Sequence, residues 1–160
     1  MRIRCITKYS NSQRHHLHYA KPFVIKKVWL HSTLERGQVP RFSQTLLDHA
    51  RSPRNAGKLD RADAVGEASL HGRAPYTTVY LTFDGDVIAQ ASFEAFGCGV
   101  TIASCSALTE IIVGKTEEEC LGIESETVVK ALNGIPADKA FCAELAVEAL
   151  RMAIANRETR

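Results

Sequence analysis

The sequence predicts an α+β domain: a three-stranded antiparallel sheet with helices packed on one face. Three strand-like segments follow one another between residues 64 and 96, and the last two flank the hairpin turn Asp84-Gly85-Asp86. In the segments before and after them, apolar residues recur three and four positions apart, as in amphipathic helices. A run of strands followed by a run of helices is typical of the α+β class.

The first helix is predicted at residues 42–50, where Ser43 is suited to cap the helix and Pro53 follows its end. The strands are predicted, in chain order, at residues 64–71, 76–83 and 87–96. In the last strand, strict alternation puts Phe93 on the apolar face and Ile88 on the opposite, polar face. One polar face indicates a sheet with one side in water.

Four helices are predicted after the sheet. The first of them begins beyond Gly97-Cys98-Gly99 and is closed by Gly114. The stretch from Thr116 to Glu119 has the pattern of a capping box, in which a threonine and a glutamate satisfy each other's backbone N–H groups. The four helices are predicted at residues 100–113, 116–121, 125–132 and 138–156.

Length and composition indicate one globular domain. The chain has 160 residues, 45% of them hydrophobic and 24% charged. It contains no apolar run of the roughly 18 residues that a transmembrane helix needs, so no membrane association is expected. Its five cysteines are an odd, scattered set, which does not resemble a secreted disulfide framework. Reduced thiols or a metal site in a cytosolic compartment fit better.

The charge is divided unevenly along the chain. Residues 1–40 contain eight Lys or Arg and one acidic residue. The other 120 residues contain twelve Lys or Arg and seventeen acidic residues. The first 40 residues are therefore interpreted as a basic leader, and residues 41–158 as the domain. The leader has three interpretations: a targeting peptide, a disordered basic arm, or sequence upstream of the true start. The cytoplasm is the expected location, with the mitochondrial matrix as the alternative if the leader is a transit peptide.

The basic excess lies in the leader, so the domain itself offers no basic patch for nucleic acid, and no nucleic-acid partner is expected. Its chemistry is instead expected at two cysteines, Cys98 and Cys142, each of which lies where a predicted helix begins. A helix N-terminus favours a thiolate over a thiol. If both helices point the same way, the two sulfurs converge on a site suited to an iron–sulfur cluster, iron, zinc or persulfide.

Several stretches, in this order and spacing, resemble the iron–sulfur cluster assembly scaffold family of the NifU N-terminal-domain or IscU-like type. One is similar to the Pro-Arg-Asn-x-Gly turn of that family and another to its Gly-Cys-Gly or Gly-Cys-Ala motif. The matching stretches are Phe42-Ser43 with Asp48-His49, Pro53-Arg54-Asn55-Ala56-Gly57, Phe96-Gly97-Cys98-Gly99, Ile102 to Glu110 with Gly114-Lys115, and Ile135 to Cys142. The resemblance covers essentially the whole chain beyond the leader.

The chain departs from the family at its ligands. The family pattern Ala-Cys-Gly-Asp aligns with Pro75-Tyr76-Thr77-Thr78, so Tyr76 replaces a cysteine and Thr78 an aspartate. The family's histidine before the last cysteine is Phe141 here. Of the ligands that the resemblance implies, Cys98 and Cys142 remain.

Two thiolates do not complete a four-ligand shell. A second copy of the chain could supply two more thiolates. Cys105, seven residues after Cys98 and so on nearly the same helix face, could add a third. A small thiol or a side chain of a partner protein could also fill the gap.

The resemblance implies a binding and transfer protein, not an enzyme. The chain is expected to hold a labile iron–sulfur cluster, or to accept persulfide sulfur, through Cys98 and Cys142. A cysteine desulfurase and apo iron–sulfur recipient proteins are the partners that the resemblance implies. A homodimer is a separate expectation, which follows from the shortage of ligands in one chain. The alternative is a metal-free homologue that binds or regulates the cluster-assembly machinery.

Overall fold

The computed structural model of this protein describes residues 42–157, so the prediction of a basic leader at residues 1–40 lies outside the described residues. Five α-helices and three strands follow one another in the described part. They are α1 (Gln44–Arg51), β1 (Ala64–Leu70), β2 (Arg73–Asp84), β3 (Val87–Phe96), α2 (Gly99–Ile112), α3 (Glu117–Leu121), α4 (Ser125–Ala131) and α5 (Phe141–Ala155), with a 3-10 turn at Ala137–Lys139 before α5.

The three strands form one antiparallel sheet in the order β1-β2-β3. The turn between β1 and β2 has positive φ angles at both central residues, His71 and Gly72, as a tight two-residue hairpin requires. Helix α5 packs on β1 and β2, and α2 packs on β3 and α5, so these helices cover one face. The predicted α+β architecture is confirmed.

The helix layer lies very close to the sheet at Gly66 in β1. A Cβ atom built on this glycine would lie 2.1 Å from the backbone nitrogen of Ala153 and 2.2 Å from the carbonyl oxygen of Ala149. The backbone of α5 therefore lies directly on the strand, a distance that only glycine permits. The neighbouring core contains fully buried Val79 and Leu81 from β2 together with Leu145 and Leu150 from α5.

The prediction that Ile88 lies on the polar face of the third strand was wrong. Ile88 is fully buried, and Phe93 is only 2% exposed. The reason is a β-bulge: Thr82 pairs with Gln90 but Phe83 pairs with Ile88, which leaves Ala89 without a partner. One extra residue reverses the side on which the following side chains lie, so Ile88 enters the core.

The tip of this second hairpin is tied to the helices. The backbone N–H of Ile88 donates to the carbonyl of Lys115 at 2.9 Å, and the N–H of Gly114 donates to Ile88 at 2.9 Å. Arg157, just after α5, stacks its guanidinium 4.1 Å from the ring centroid of Phe83. The same group donates to the carboxylate of Glu117 at 2.5 Å. The C-terminal end of α5 is thus fixed to the hairpin and to α3.

Helix boundaries agree with prediction within a few residues, and the last helix differs most. It was predicted from residue 138, but a 3-10 turn occupies residues 137–139 and the α-helix begins at Phe141. The capping box predicted at Thr116 is present, because its hydroxyl accepts from the N–H of Glu119 while that carboxylate accepts from the N–H of Thr116. None of the helices within residues 42–157 combines the length and apolar character needed to cross a membrane.

A polar network joins α1 to α2. Ser43 caps α1 by accepting from the N–H of Leu46 at 3.0 Å. His49, 8% exposed, lies with its Nδ1 2.9 Å from the Ser106 hydroxyl of α2. Burial lowers the pKa of His49, and the nearby positive charge of Arg54 lowers it further. The folded chain therefore favours the neutral imidazole at this position.

We expect Gly66→Ala to lower the free energy of unfolding by about 3 kcal/mol or more, because the new methyl group overlaps the backbone of α5. Gly122→Ala is the matched control, since its Cβ would lie 3.5 Å from the nearest atom, the carbonyl oxygen of Glu119. Urea unfolding followed by circular dichroism measures both variants. Equal stability of the two would contradict the close approach at β1.

We expect His49 to make stability fall with acidification. Its folded-state pKa is below the unfolded value of 6.5, so the unfolded chain binds more protons and stability is lost as pH falls through 6.5. In thermal melts between about pH 8 and about pH 5.5, the pH dependence should be smaller in His49→Gln than in the parent chain. An unchanged pH dependence in this variant would show that His49 is not held neutral.

Candidate functional site

Cys98 lies between the end of β3 and the start of α2, where it is the N-cap residue with an extended backbone (φ −78°, ψ 170°). Its thiol is exposed. The preceding Gly97 lies tightly against its surroundings: a Cβ there would be 2.6 Å from Thr101 Oγ1 and 3.0 Å from the Cβ of Pro75. Glycine at this position lets the strand end closely against β2 and α2, which fixes the place of Cys98.

Cys142 is the second residue of α5 and is fully buried. Its Sγ lies 4.0 Å from the Sγ of Cys98, although 44 positions separate the two residues. Thr101, in the first turn of α2, joins them. Its hydroxyl donates to Cys142 Sγ at 3.4 Å and lies 3.7 Å from Cys98 Sγ. The structure therefore brings together the two cysteines that the sequence singled out.

The two thiols differ in acidity. The pKa of Cys98 is well below the ordinary thiol value, first because the Cys142 thiol donates to its sulfur and then because the backbone N–H groups of Thr101 and Val100 point toward it. The pKa of Cys142 is raised, first by the hydrogen bond to Cys98 and then by burial. The pair at neutral pH is thus an exposed thiolate beside a buried thiol that donates to it.

The separation of the two sulfurs suits a shared metal ion. Two metal–sulfur bonds of ~2.3 Å at a tetrahedral angle place the sulfur atoms about 3.8 Å apart. The donor set is small, however. Within residues 42–157, no three His, Cys, Asp or Glu side chains lie close enough together to hold one metal ion. The described residues of one chain thus bring two thiols together, whereas zinc or a cluster normally takes four ligands.

Cys105, the residue considered from sequence as a third ligand, lies elsewhere. It is fully buried in α2, and its Sγ is 2.9 Å from the Thr77 hydroxyl of β2. Burial raises the pKa of its thiol to about 12. Cys105 is therefore a core residue with a neutral thiol. Cys120 in α3 is also fully buried, and burial raises the pKa of its thiol to about 11.

The three residues that stand where the resemblance implied a cysteine, an aspartate and a histidine lie in β2 and at the start of α5. The ring of Tyr76 stacks on that of Phe96, with centroids 5.6 Å apart and planes inclined by 15°. Thr78 lies two positions further along β2, on the same face of the sheet as Tyr76. Phe141 immediately precedes Cys142, and Lys139 Nζ lies 5.8 Å from the centroid of its ring.

Reasoning from sequence missed Thr101. The signal was present, because a hydroxyl three residues into a helix that begins at a thiolate N-cap lies within reach of that sulfur. Its bond to Cys142 was not predictable in this way, since it depends on how α5 packs against α2.

We expect Cys98 to react with iodoacetamide at a rate that is nearly constant from about pH 8 to about pH 6, because its thiolate persists over that range. An ordinary thiol with a pKa of ~8.5 would slow by roughly 70-fold. Cys142→Ala should raise the pKa of Cys98, since it removes the strongest donor. Mass spectrometry of the Cys98 peptide measures the rates. If the reaction rate of Cys98 in the parent chain fell with pH as it does for an ordinary thiol, the hydrogen-bonded thiolate would be contradicted.

Comparison with known proteins places this geometry in a family. An iron-sulfur cluster assembly scaffold protein, IscU 1 of Archaeoglobus fulgidus, is 39% identical over 115 residues, which are 72% of this chain and 75% of that protein. The scaffold protein IscU of Aquifex aeolicus is 36% identical over 115 residues, 71% of this chain and 73% of that protein.

A solved structure of a SUF-system protein from Fervidobacterium islandicum AW-1 has a TM-score of 0.60 at 23% identity, covering 71% of this chain and 96% of that one, which shows the shared fold. Residues 41–160 match the family described as the NifU-like N terminal domain. The chain therefore belongs to the NifU-like N-terminal domain family, and it resembles IscU scaffold proteins over 115 residues.

Proposed function

We propose that this protein is an iron–sulfur cluster assembly scaffold or carrier that binds its cargo through Cys98 and Cys142. The observation that carries the proposal is the 4.0 Å separation of the two sulfurs, one exposed and one buried. The names of the relatives from Archaeoglobus and Aquifex support it, since both are cluster assembly scaffolds. The cargo is iron with sulfide, a labile cluster, or sulfur received as persulfide. The protein binds this cargo and transfers it, without turnover of a small substrate.

Cys98 and Cys142 have different roles in binding the cargo. Exposed Cys98 meets an incoming iron ion first and already carries negative charge. Cys142 then binds by releasing its proton, and the Thr101 hydroxyl is left to donate to the bound sulfur. Because the described residues provide only two thiolates, other coordination positions of the iron stay open to the ligands of a recipient protein.

Cys98 is also placed to accept sulfur. Its thiolate attacks the outer sulfur of a donor protein's persulfide, the donor's S–S bond breaks, and the electron pair leaves with the donor's own thiolate. The product is a persulfide on Cys98. A cysteine desulfurase is the proposed donor and apo iron–sulfur proteins are the proposed recipients. Such chemistry needs a reducing compartment, the cytoplasm or, if the basic leader is a transit peptide, the mitochondrial matrix.

Anaerobic reconstitution with iron and sulfide tests the proposal. We expect sulfur-to-iron charge-transfer absorption in the visible region, with iron and sulfide retained after desalting. Cys98→Ser and Cys142→Ser should each reduce the retained iron by more than about tenfold. Cys120→Ser is the matched control, since this buried cysteine in α3 belongs to no thiol pair, and it should retain the absorption of the parent chain.

A colourless parent chain with no iron by elemental analysis would overturn the cluster-handling function. It would favour the alternative, a metal-free member of the family that binds or regulates the assembly machinery. Equal iron retention in the parent chain and in both serine variants would show that the cargo binds elsewhere.

A further inference from the structure

We propose that Cys142 releases sulfide from a persulfide carried on Cys98 and leaves a disulfide between the two residues. The inference rests on the proposed function and specifies its sulfur chemistry, since the chain then reduces the sulfur that it accepts and does not only carry it. It starts from the geometry of the pair. The two Sγ atoms lie 4.0 Å apart, the thiol of Cys98 is exposed, and Cys142 is fully buried.

The position of Cys142 decides which sulfur of the persulfide it attacks. A sulfur atom added to Cys98 extends from the exposed Sγ toward solvent, whereas Cys142 lies on the buried side of that same Sγ. In thiol–disulfide exchange the attacking sulfur approaches in line with the bond that breaks. Attack from the buried side therefore meets the inner sulfur, Cys98 Sγ, and the outer sulfur on the open side becomes the leaving group.

The step exchanges one sulfur–sulfur bond for another. Cys142 Sγ forms a bond to Cys98 Sγ, the bond between the inner and outer sulfur breaks, and its electron pair leaves with the outer sulfur. The outer sulfur takes the proton of the Cys142 thiol and departs as hydrogen sulfide. It is thereby reduced while the Cys142 thiol is oxidised, so the release itself needs no other reductant. A small thiol or dithiol reductant of the compartment reopens the disulfide afterwards.

The hydrogen bonds of Cys142 suit this order of events. While Cys98 is a free thiolate it accepts from the Cys142 thiol, and this bond is the first cause of the raised pKa of Cys142. Once Cys98 Sγ is bonded to a second sulfur it no longer carries the negative charge, so this cause is lost. The Thr101 hydroxyl, which donates to Cys142 Sγ at 3.4 Å, stabilises the charge that develops on the attacking sulfur.

Two thiols are sufficient for this exchange, and the described part of the chain brings two together. The sulfurs must come about 2 Å closer to form a bond. Cys98 has room for that movement because its thiol is exposed at the N-cap of α2. Cys105 and Cys120 are not competitors, because both are fully buried elsewhere in the fold and burial raises the pKa of each thiol.

Loading of the reduced full chain with glutathione persulfide, under anaerobic conditions and followed by rapid desalting, tests the proposal. Cys5→Ser serves as the background, so that the thiol outside the described residues takes no part. With no other reductant present, we expect one sulfide released per loaded chain. Intact mass should show the loss of two hydrogen atoms from the reduced chain, and peptide mapping should find a disulfide between Cys98 and Cys142.

Cys142→Ala in this background removes the attacking thiol and leaves Cys98 able to accept sulfur. We expect the persulfide to persist on Cys98 and the release of sulfide to slow by more than about tenfold. Cys120→Ser is the matched control, since this cysteine is also fully buried, and it should release sulfide like the background chain. Circular dichroism checks the folding of both variants, and the peptide map of the background chain tests the step without either of them.

Three results would overturn sulfide release by the pair. These are a stable persulfide on Cys98 of the background chain, a persulfide moved to Cys142 without sulfide, and equal sulfide release in Cys142→Ala. Each leaves the proposed function standing, because Cys98 has accepted sulfur in all three. If Cys98 takes up no sulfur, sulfide release and the persulfide role fail together, and reconstitution with iron and sulfide decides whether cluster binding stands.

Discussion

The close approach of α5 to β1 is the constraint on which the rest of the structure depends. Gly66 allows the backbone of this helix to lie directly on the strand, and the helix begins at the cysteine-bearing end of the sheet. At its other end, Arg157 anchors it to Glu117 and Phe83. These contacts hold the C-terminal half of α5, the helix whose second residue is Cys142. The position of Cys142 therefore depends on backbone contact some residues away from its sulfur, while the donors beside the two sulfurs set their acidity.

The thiol pair shows how a fold can keep a polar group reactive inside an apolar layer. Cys142 is fully buried, yet it is not isolated, because it donates to Cys98 and accepts from Thr101. A lone buried cysteine would stay a neutral thiol, whereas the buried thiol of Cys142 donates to Cys98 and stabilises the negative charge there. Cys105 shows the contrast: it has one hydroxyl neighbour, Thr77, and its thiol stays protonated. Burial alone does not decide reactivity, since the number of donors around the sulfur does.

Much of the fold was predictable because local patterns and tertiary packing agree. Val79 and Leu81 alternate as a half-buried strand should, and both are fully buried. The failure at Ile88 has a plain physical cause, since a bulge is defined by the pairing between two strands and no single strand records it. The position of Cys98 at a helix start was also local. The distance from Cys98 to Cys142 could not be predicted from local sequence, because it depends on how α2 and α5 pack although the two cysteines are 44 positions apart.

The bulge at Ala89 divides the second hairpin into two parts with different strand register. Between it and the thiol end, Tyr76 pairs with Phe96 and the register runs unbroken to Thr82. On the other side lies only the short turn around Gly85. A chain that gains or loses a residue in that turn can absorb the change at the existing irregularity, before it shifts the strand ends that carry Gly97. A change in the length of that turn would thus act first on the contacts with Lys115 and Arg157, while the strand end that carries Cys98 keeps its register.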